Sequence, residues 1–216
     1  MATSSFPGAG ISDHFAPAVR RVAGVVLAGG RSSRMGAPKA FALLAGRPLL
    51  AHVLDRLRPQ TACIFLNVRD DSEDWRAFGC PLVEDAPEWR GAGPLAGVAA
   101  ALVRAAGQGF AWVATAPCDA PFLPLDLVAR LAEPIVFGAP AAVAVRAGRP
   151  EPLFALWPVT AVGLIEAALT GERAGPNRVL QEMGAAKVNF GSSAETDPFA
   201  NLNTPEELAA ANLMQT

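Results

Sequence analysis

Lys39 is the residue whose type and setting most suggest chemistry. Of the 18 Lys and Arg residues in this 216-residue chain, only Lys39 and Lys187 are lysines. Between His14 and Leu54 there is no acidic residue, while Arg20, Arg21, Arg31, Arg34, Lys39 and Arg47 are present. A compact ammonium acts on phosphate as a point charge, whereas arginine acts as a planar fork. Upstream, the apolar run 22–28 ends in Gly29-Gly30. Glycine can take φ > 0, lets a backbone approach a ligand closely and presents N–H groups to an anion. Glycines followed by a lysine in an acid-free basic segment read as a phosphate loop. It is not a Walker loop, because Ala37-Pro38-Lys39 follows Gly36 where Lys-Ser/Thr is needed, and G-x-G-x-x-G is absent.

Two carboxylates and several amides follow apolar runs. Asp119 comes after the run 110–116 through Pro117-Cys118, and Asp85 ends the run 81–85. Either can serve a ligand; Asp119 can equally cap the next helix, and Asp85 can hydrogen-bond its own loop. Asn67 lies near the end of the run 63–68, where its amide can read a base or ribose or simply close a turn. Asn201 and Asn203 flank Leu202 with period two, so they share one face. They suit a ligand, a metal site, or capping of the last helix. Cys118 invites a nucleophile reading. With only two histidines, His14 and His52, no Cys–His–Asp set assembles. Cys118 is therefore expected in the core, and His52, beside an apolar helix face, is expected to be structural.

These residues must be positioned by alternating strands and helices. Strands are expected at 22–28, 63–68, 81–85, 110–116, 141–145, 153–157, 187–190 and 199–203. Helices are expected at 48–57, 94–106, 124–133, 161–170 and around 177–183. Thr204-Pro205-Glu206-Glu207 is a capping box with Pro at the first helical position, opening a last helix. Continuous apolar strands alternating with helices predict a three-layer α/β fold around a mostly parallel sheet, with ligands outside the carboxyl ends of the strands. Residues 1–21, small, polar and rich in Pro and Gly, read as a mobile extension; residues 22–216 read as a single domain.

Composition narrows the classes further. The chain is 51% apolar and 18% charged, which excludes a disordered polymer. Mean hydropathy is +0.28, yet no apolar run approaches the ~20 residues of a membrane span. A net charge of −2 argues against a broad basic face, so neither nucleic acid nor an acidic membrane is an expected partner. Cys63, Cys80 and Cys118 are odd in number and not in metal spacing, and the first residues lack a basic-then-apolar signal. A reducing cytoplasm is the expected location.

The segment LAGG-x₃-RMG-x₂-K resembles the signature of the nucleotidyltransferases similar to molybdenum cofactor guanylyltransferase. Further stations follow in order: LNV (66–68), VED (83–85), GPLAG (93–97), PCDAPFLP (117–124), PLFALW (152–157) and FANLNTPEEL (199–208). The resemblance runs from Val22 to about Met214. It implies a Rossmann-like nucleotidyltransferase fold around a mostly parallel mixed sheet. It also implies transfer of GMP from GTP to molybdopterin with release of pyrophosphate. Carried over, Leu27, Ala28, Gly29 and Gly30 hold GTP, Lys39 contacts its phosphates, and Asn67 and Asp85 belong to the nucleotide site. Asp119 binds Mg²⁺, which takes one or two carboxylates and completes its shell with phosphate and water oxygens. Lys39 and Asp119 are thus the catalytic candidates, and Asn201 and Asn203 are candidates for the second substrate. Expected partners are GTP, molybdopterin and the proteins of cofactor biosynthesis or molybdoenzyme chaperones, for a monomer or weak oligomer. LAGG, in place of LAAG, resembles the guanylyl and not the cytidylyl branch of the family. Alternatives are a related enzyme using CTP or another phosphorylated acceptor, or a non-catalytic nucleotide-binding protein. The sequence departs from the family pattern at Pro38, where Asp usually precedes the loop Lys, and at Glu151, where His or Gln is usual.

Overall fold

The structure is a computed structural model, and it describes residues 22–30, 38–171, 175–191 and 197–213. The expected extension over 1–21 and the loop residues 31–37 lie outside these.

Nine strands and seven α-helices are present among the described residues. In chain order these are β1 (Val22–Leu27), β2 (Leu43–Leu44), β3 (Arg47–Pro48), α1 (Leu49–Leu57), β4 (Cys63–Val68), α2 (Glu73–Arg76), β5 (Leu82–Glu84) and α3 (Pro94–Ala106). Then follow β6 (Trp112–Pro117), α4 (Leu127–Val136), β7 (Ala142–Arg146), β8 (Arg149–Pro158), α5 (Val162–Thr170), α6 (Pro176–Glu182), β9 (Ala186–Asn189) and α7 (Pro205–Leu213). Seven strands form one sheet in the order β5-β4-β1-β6-β8-β7-β9, and β2 and β3 form a small hairpin. Only β8 runs against the others. The sheet is the expected mostly parallel mixed one.

Every residue of β1 is buried, as befits a central strand covered on both faces. Its alternate side chains feed two cores. Val22 and Val26 pack with Leu50, Val53, Leu54 and Leu57 of α1 and with Leu127, Val128 and Leu131 of α4. Ala23, Val25 and Leu27 pack with Leu95, Val98 and Leu102 of α3 and with Ile165 of α5. This is the three-layer arrangement, with a helical layer on each face of the sheet. Two polar side chains sunk into it, Thr115 and Gln60, are satisfied. The Thr115 hydroxyl serves both the N–H and the C=O of Ala155, at 3.2 and 3.3 Å. Gln60 donates to Arg56 O and Pro124 O, and its Oε1 accepts the Val128 N–H at 2.9 Å. Gln60 thereby supplies an orphan donor at the start of α4 with a partner.

Element boundaries differ from the expected ones in informative ways. The helix expected from 124 starts at Leu127, because Pro124-Leu125-Asp126 forms a turn anchored by Gln60. β8 extends back to Arg149 through a hairpin whose turn places Ala147 at φ 47° and Gly148 at φ 77°. The strand expected at 199–203 does not form. Phe199 and Leu202 are buried in different clusters, and the Leu202 N–H is taken by Asp119 O at 2.9 Å instead of by a strand ladder. The capping box before α7 does form: Glu207 N–H donates to Thr204 Oγ1, and Thr204 N–H donates to Glu207 Oε2, at 3.2 and 3.1 Å. His52 is structural, its Nε2 lying 2.8 Å from Leu44 O.

Candidate functional site

The carboxyl ends of β4, β1 and β6 open on a cleft of about 430 Å³. Leu27, Ala28, Gly29, Gly30, Lys39, Asn67, Asp85 and Asp119 all line it. All but Lys39, which opens a short 3₁₀ turn at Lys39–Phe41, arrive from the ends of β1, β4, β5 and β6, and parallel pairing is what aligns those ends. Leu27 pairs with Asn67 on one side and with Pro117 on the other. The glycines, the amide and the approach to Asp119 therefore share one rim.

At the centre of the rim, Lys39 Nζ lies 3.3 Å from Asp119 Oδ2 and also donates to Asn203 Oδ1. Asp119 is held by its own backbone, whose carbonyl accepts the Leu202 N–H. The Asn203 amide nitrogen donates to Asn201 O at 3.1 Å, while Asn201 itself is exposed. Of the two asparagines, only Asn203 reaches the cleft residues, and it does so through Lys39. Towards β5, Asn67 Nδ2 donates to Asp85 Oδ1 at 2.9 Å and to Val83 O at 3.2 Å. Asn67 is buried, so these bonds fix its amide orientation.

Glycines shape this end of the cleft for different reasons. Neither Gly29 nor Gly30 has a positive φ, so the expected need for left-handed backbone at the loop is not met there. What Gly29 provides is space: a Cβ would lie 3.3 Å from Asn67 Oδ1, tighter than most real contacts. Gly93, at φ 96°, does require glycine; it precedes α3, whose first residue, Pro94, suits the first helical position. Gly93 and Pro94 line the cleft, so the positive end of the α3 dipole faces it. One turn on, a Cβ at Gly97 would lie 2.2 Å from Asn67 Oδ1. Only glycine lets α3 close on that amide.

Several lining residues were not singled out from sequence. Arg69 follows β4 and donates from Nε to Gly29 O at 2.7 Å; its nearness to Asn67 in sequence was the available signal. Leu153 enters from β8. Cys118 packs against the core on the α1 and α4 face, as expected, and its partly exposed surface also lines the cleft. Burial, and then the adjacent Asp119 charge, push its thiol up to about 12, with Lys39 opposing. A thiol so far above neutrality is poorly nucleophilic, which agrees with the absence of an assembled triad. Among the described residues, no helix is long and apolar enough to cross a membrane.

A mostly parallel sheet flanked by helices, with a glycine-lined cleft and a Lys–Asp pair at its carboxyl rim, defines a Rossmann-like nucleotidyltransferase. Residues 24–188 match the family model described as the MobA-like NTP transferase domain. A molybdenum cofactor guanylyltransferase of Rhizobium leguminosarum bv. trifolii is 44% identical over 197 residues, covering 88% of this chain and 91% of its own. That of Rhizobium meliloti is 43% identical over 195 residues, covering 87% and 88%. Among solved structures, molybdopterin-guanine dinucleotide biosynthesis protein A from Archaeoglobus fulgidus superposes with a TM-score of 0.70 at 25% identity, covering 89% of this chain and 98% of that one. The chain belongs to the MobA-like NTP transferase family.

Proposed function

We propose that this protein transfers GMP from GTP to the terminal phosphate of molybdopterin and releases pyrophosphate, with residues 22–216 acting as one domain in the cytoplasm. The observation that carries this is the convergence of Gly29, Gly30, Lys39, Asn67, Asp85 and Asp119 on one cleft, in a chain 44% identical to a named guanylyltransferase. The acceptor phosphate oxygen forms a bond to the α-phosphorus of GTP, and the α–β bridging P–O bond breaks. The acceptor is ionised at neutral pH, so no protein base is needed. The reaction is then a matter of positioning and charge stabilisation.

Each residue has a role in that scheme. The backbone from Leu27 to Gly30 and the Lys39 ammonium receive the triphosphate, and Lys39 stabilises charge on the departing pyrophosphate. Asn67 and Asp85 hold the nucleoside. Asn203 positions Lys39, and Asn201 supports Asn203 through its carbonyl. Asp119 offers one carboxylate at the rim, and no group of three or more potential metal ligands exists among the described residues. That donor set suits Mg²⁺, whose remaining ligands come from phosphate and water. Held there, Mg²⁺ supplies charge neutralisation to the phosphates.

The test is pyrophosphate release measured with each of the four NTPs, with and without molybdopterin. Release with GTP that requires molybdopterin is expected. Equal release with CTP, or none with GTP, refutes the assignment.

A further inference from the structure

A second polar cluster lies on the same rim of the sheet, and the nucleotide cleft does not use it. Arg146 ends β7, with Nη1 3.1 Å from Asp197 Oδ2 and Nε 3.6 Å from Glu151 Oε1. Arg146 Nε is buried and makes no hydrogen bond among the described residues. A buried donor without a partner is costly in a folded protein. One guanidinium faces two carboxylates, so the cluster carries excess negative charge and suits a ligand that donates hydrogen bonds.

Topology puts this cluster beside the cleft. β8 runs against β6 and β7, so its first residues lie toward the carboxyl end of the sheet, with Arg149 paired to Arg146 at the end of β7. The β7–β8 ladder breaks where Val143 pairs with Ala155 and Ala144 with Glu151. Pro152, Leu153 and Phe154 are left over in this bulge. Leu153 forms cleft wall two residues from Glu151, while Phe154 packs on Phe199, with ring centroids 4.6 Å apart. The chain from Asp197 to Asn203 links the two places. Asp197 Oδ1 accepts the Phe199 N–H at 3.0 Å, Leu202 N–H bonds Asp119 O, and Asn203 bonds Lys39. Six peptide steps span at most about 20 Å. The Arg146 cluster and the phosphate-facing Lys39 thus stand at the two ends of one short stretch.

We infer that Glu151 and Arg146, backed by Asp197, receive the 2-amino-4-oxopyrimidine edge of the pterin acceptor. This assignment rests on the guanylyl-transfer reading. The amino group and ring N–H of that edge donate to the Glu151 carboxylate, and its carbonyl accepts from Arg146. Burial raises the Glu151 carboxyl above its ordinary value while Arg146 opposes the rise; a carboxylate short of water gains more from a matching donor. Guanine carries the same edge, but the sheet order separates the two candidates. Asn67 and Asp85 lie on the β4–β5 side of β1, and the Arg146 cluster lies beyond β6 on the opposite side. With the nucleoside held by Asn67 and Asp85, the pterin falls to Glu151.

The experiment compares wild type with Glu151→Gln, Arg146→Met and Glu151→Asp, each checked by thermal unfolding. GMP transfer from GTP to molybdopterin by wild type comes first; its absence overturns the reaction and this assignment with it. Given transfer, Glu151→Gln and Arg146→Met should raise KM for molybdopterin about tenfold, as loss of a charged hydrogen bond does. KM for GTP should stay within about twofold of wild type, and Glu151→Asp should recover part of the acceptor affinity. Binding of pterin-6-carboxylate, followed by its fluorescence, should weaken in parallel without any turnover. Unchanged molybdopterin KM and pterin binding in folded variants overturn the assignment while leaving the reaction intact. A rise confined to GTP would put guanine at Glu151 and overturn it equally.

Discussion

The Lys39 ammonium and the Asp119 carboxylate lie 3.3 Å apart, brought together across 80 positions of chain. Both side chains are mostly buried, 20% and 14% exposed. The two groups suit opposite parts of one substrate complex: the ammonium attracts phosphate directly, and the carboxylate does so only through a cation. Under the proposed function, a triphosphate entering the cleft would compete with Asp119 for Lys39 and leave the carboxylate to a metal ion.

Asp119→Ala should fold and lose nearly all GMP transfer. Removing the carboxylate takes away the proposed anchor for metal charge on the phosphates. Turnover at saturating Mg²⁺ is the measurement. Retention of more than about a tenth of wild-type activity would limit its contribution to ~1.4 kcal/mol and remove Asp119 from the metal-ligand role.

Gly97→Ala should cost about 1–3 kcal/mol and raise KM for GTP, because its Cβ would meet Asn67 Oδ1 at 2.2 Å. The strain belongs to one pair of residues, so Asn67→Ala in the same chain should relieve the stability loss without restoring nucleotide affinity. A double-mutant cycle on unfolding free energy and GTP binding checks both halves. Strict additivity of the two stability losses would show that the helix accommodates the methyl elsewhere.

Gly29→Ala presses more gently on the same amide, at 3.3 Å. The resemblance of LAAG to cytidylyl enzymes adds a direction to the effect. We expect kcat/KM for GTP to fall and the GTP-to-CTP ratio to drop about tenfold, within the range that one methyl group produces. A folded variant with an undiminished ratio would move nucleotide choice to Asn67, Asp85 and the 93–97 loop.

Cys118→Ser should retain activity, because the thiol lines the cleft in its protonated form. With its folded pKa near 12 and the ordinary thiol value at 9.0, the folded state holds a proton that the unfolded state releases between those values. Stability should therefore fall as pH rises from about 9 to 12. The serine variant should show a shallower alkaline decline in denaturant titrations. Loss of turnover in a folded Cys118→Ser protein would restore a chemical role for the sulfur.

The strand ends and the placing of Gly29, Gly30 and Lys39 on one cleft were legible because their signals are local. A continuous apolar run such as 22–28 is what a strand buried on both faces requires, and a lysine in an acid-free stretch is a charge pattern visible in one dimension. The capping box at 204–207 was equally readable, since both partners lie within one helical turn. FANLN misled for a complementary reason. Its alternation suits a strand, but whether its N–H groups meet another strand depends on what lies alongside, and Asp119 O lies there for Leu202.

The sequence by itself determined the α/β alternation, the rim on which chemistry belongs and the residue types available there. Tertiary structure decided which of them touch. Asn203 meets Lys39 across 164 positions and Asn67 meets Asp85 across 18. The bulge in β8 turns Leu153 into cleft wall, and Gly97 matters only because α3 packs onto Asn67. The physical reason is range. Backbone preference and hydrophobic period act over a few residues, whereas strand order, ladder breaks and helix approach minimise the free energy of two close-packed cores as a whole.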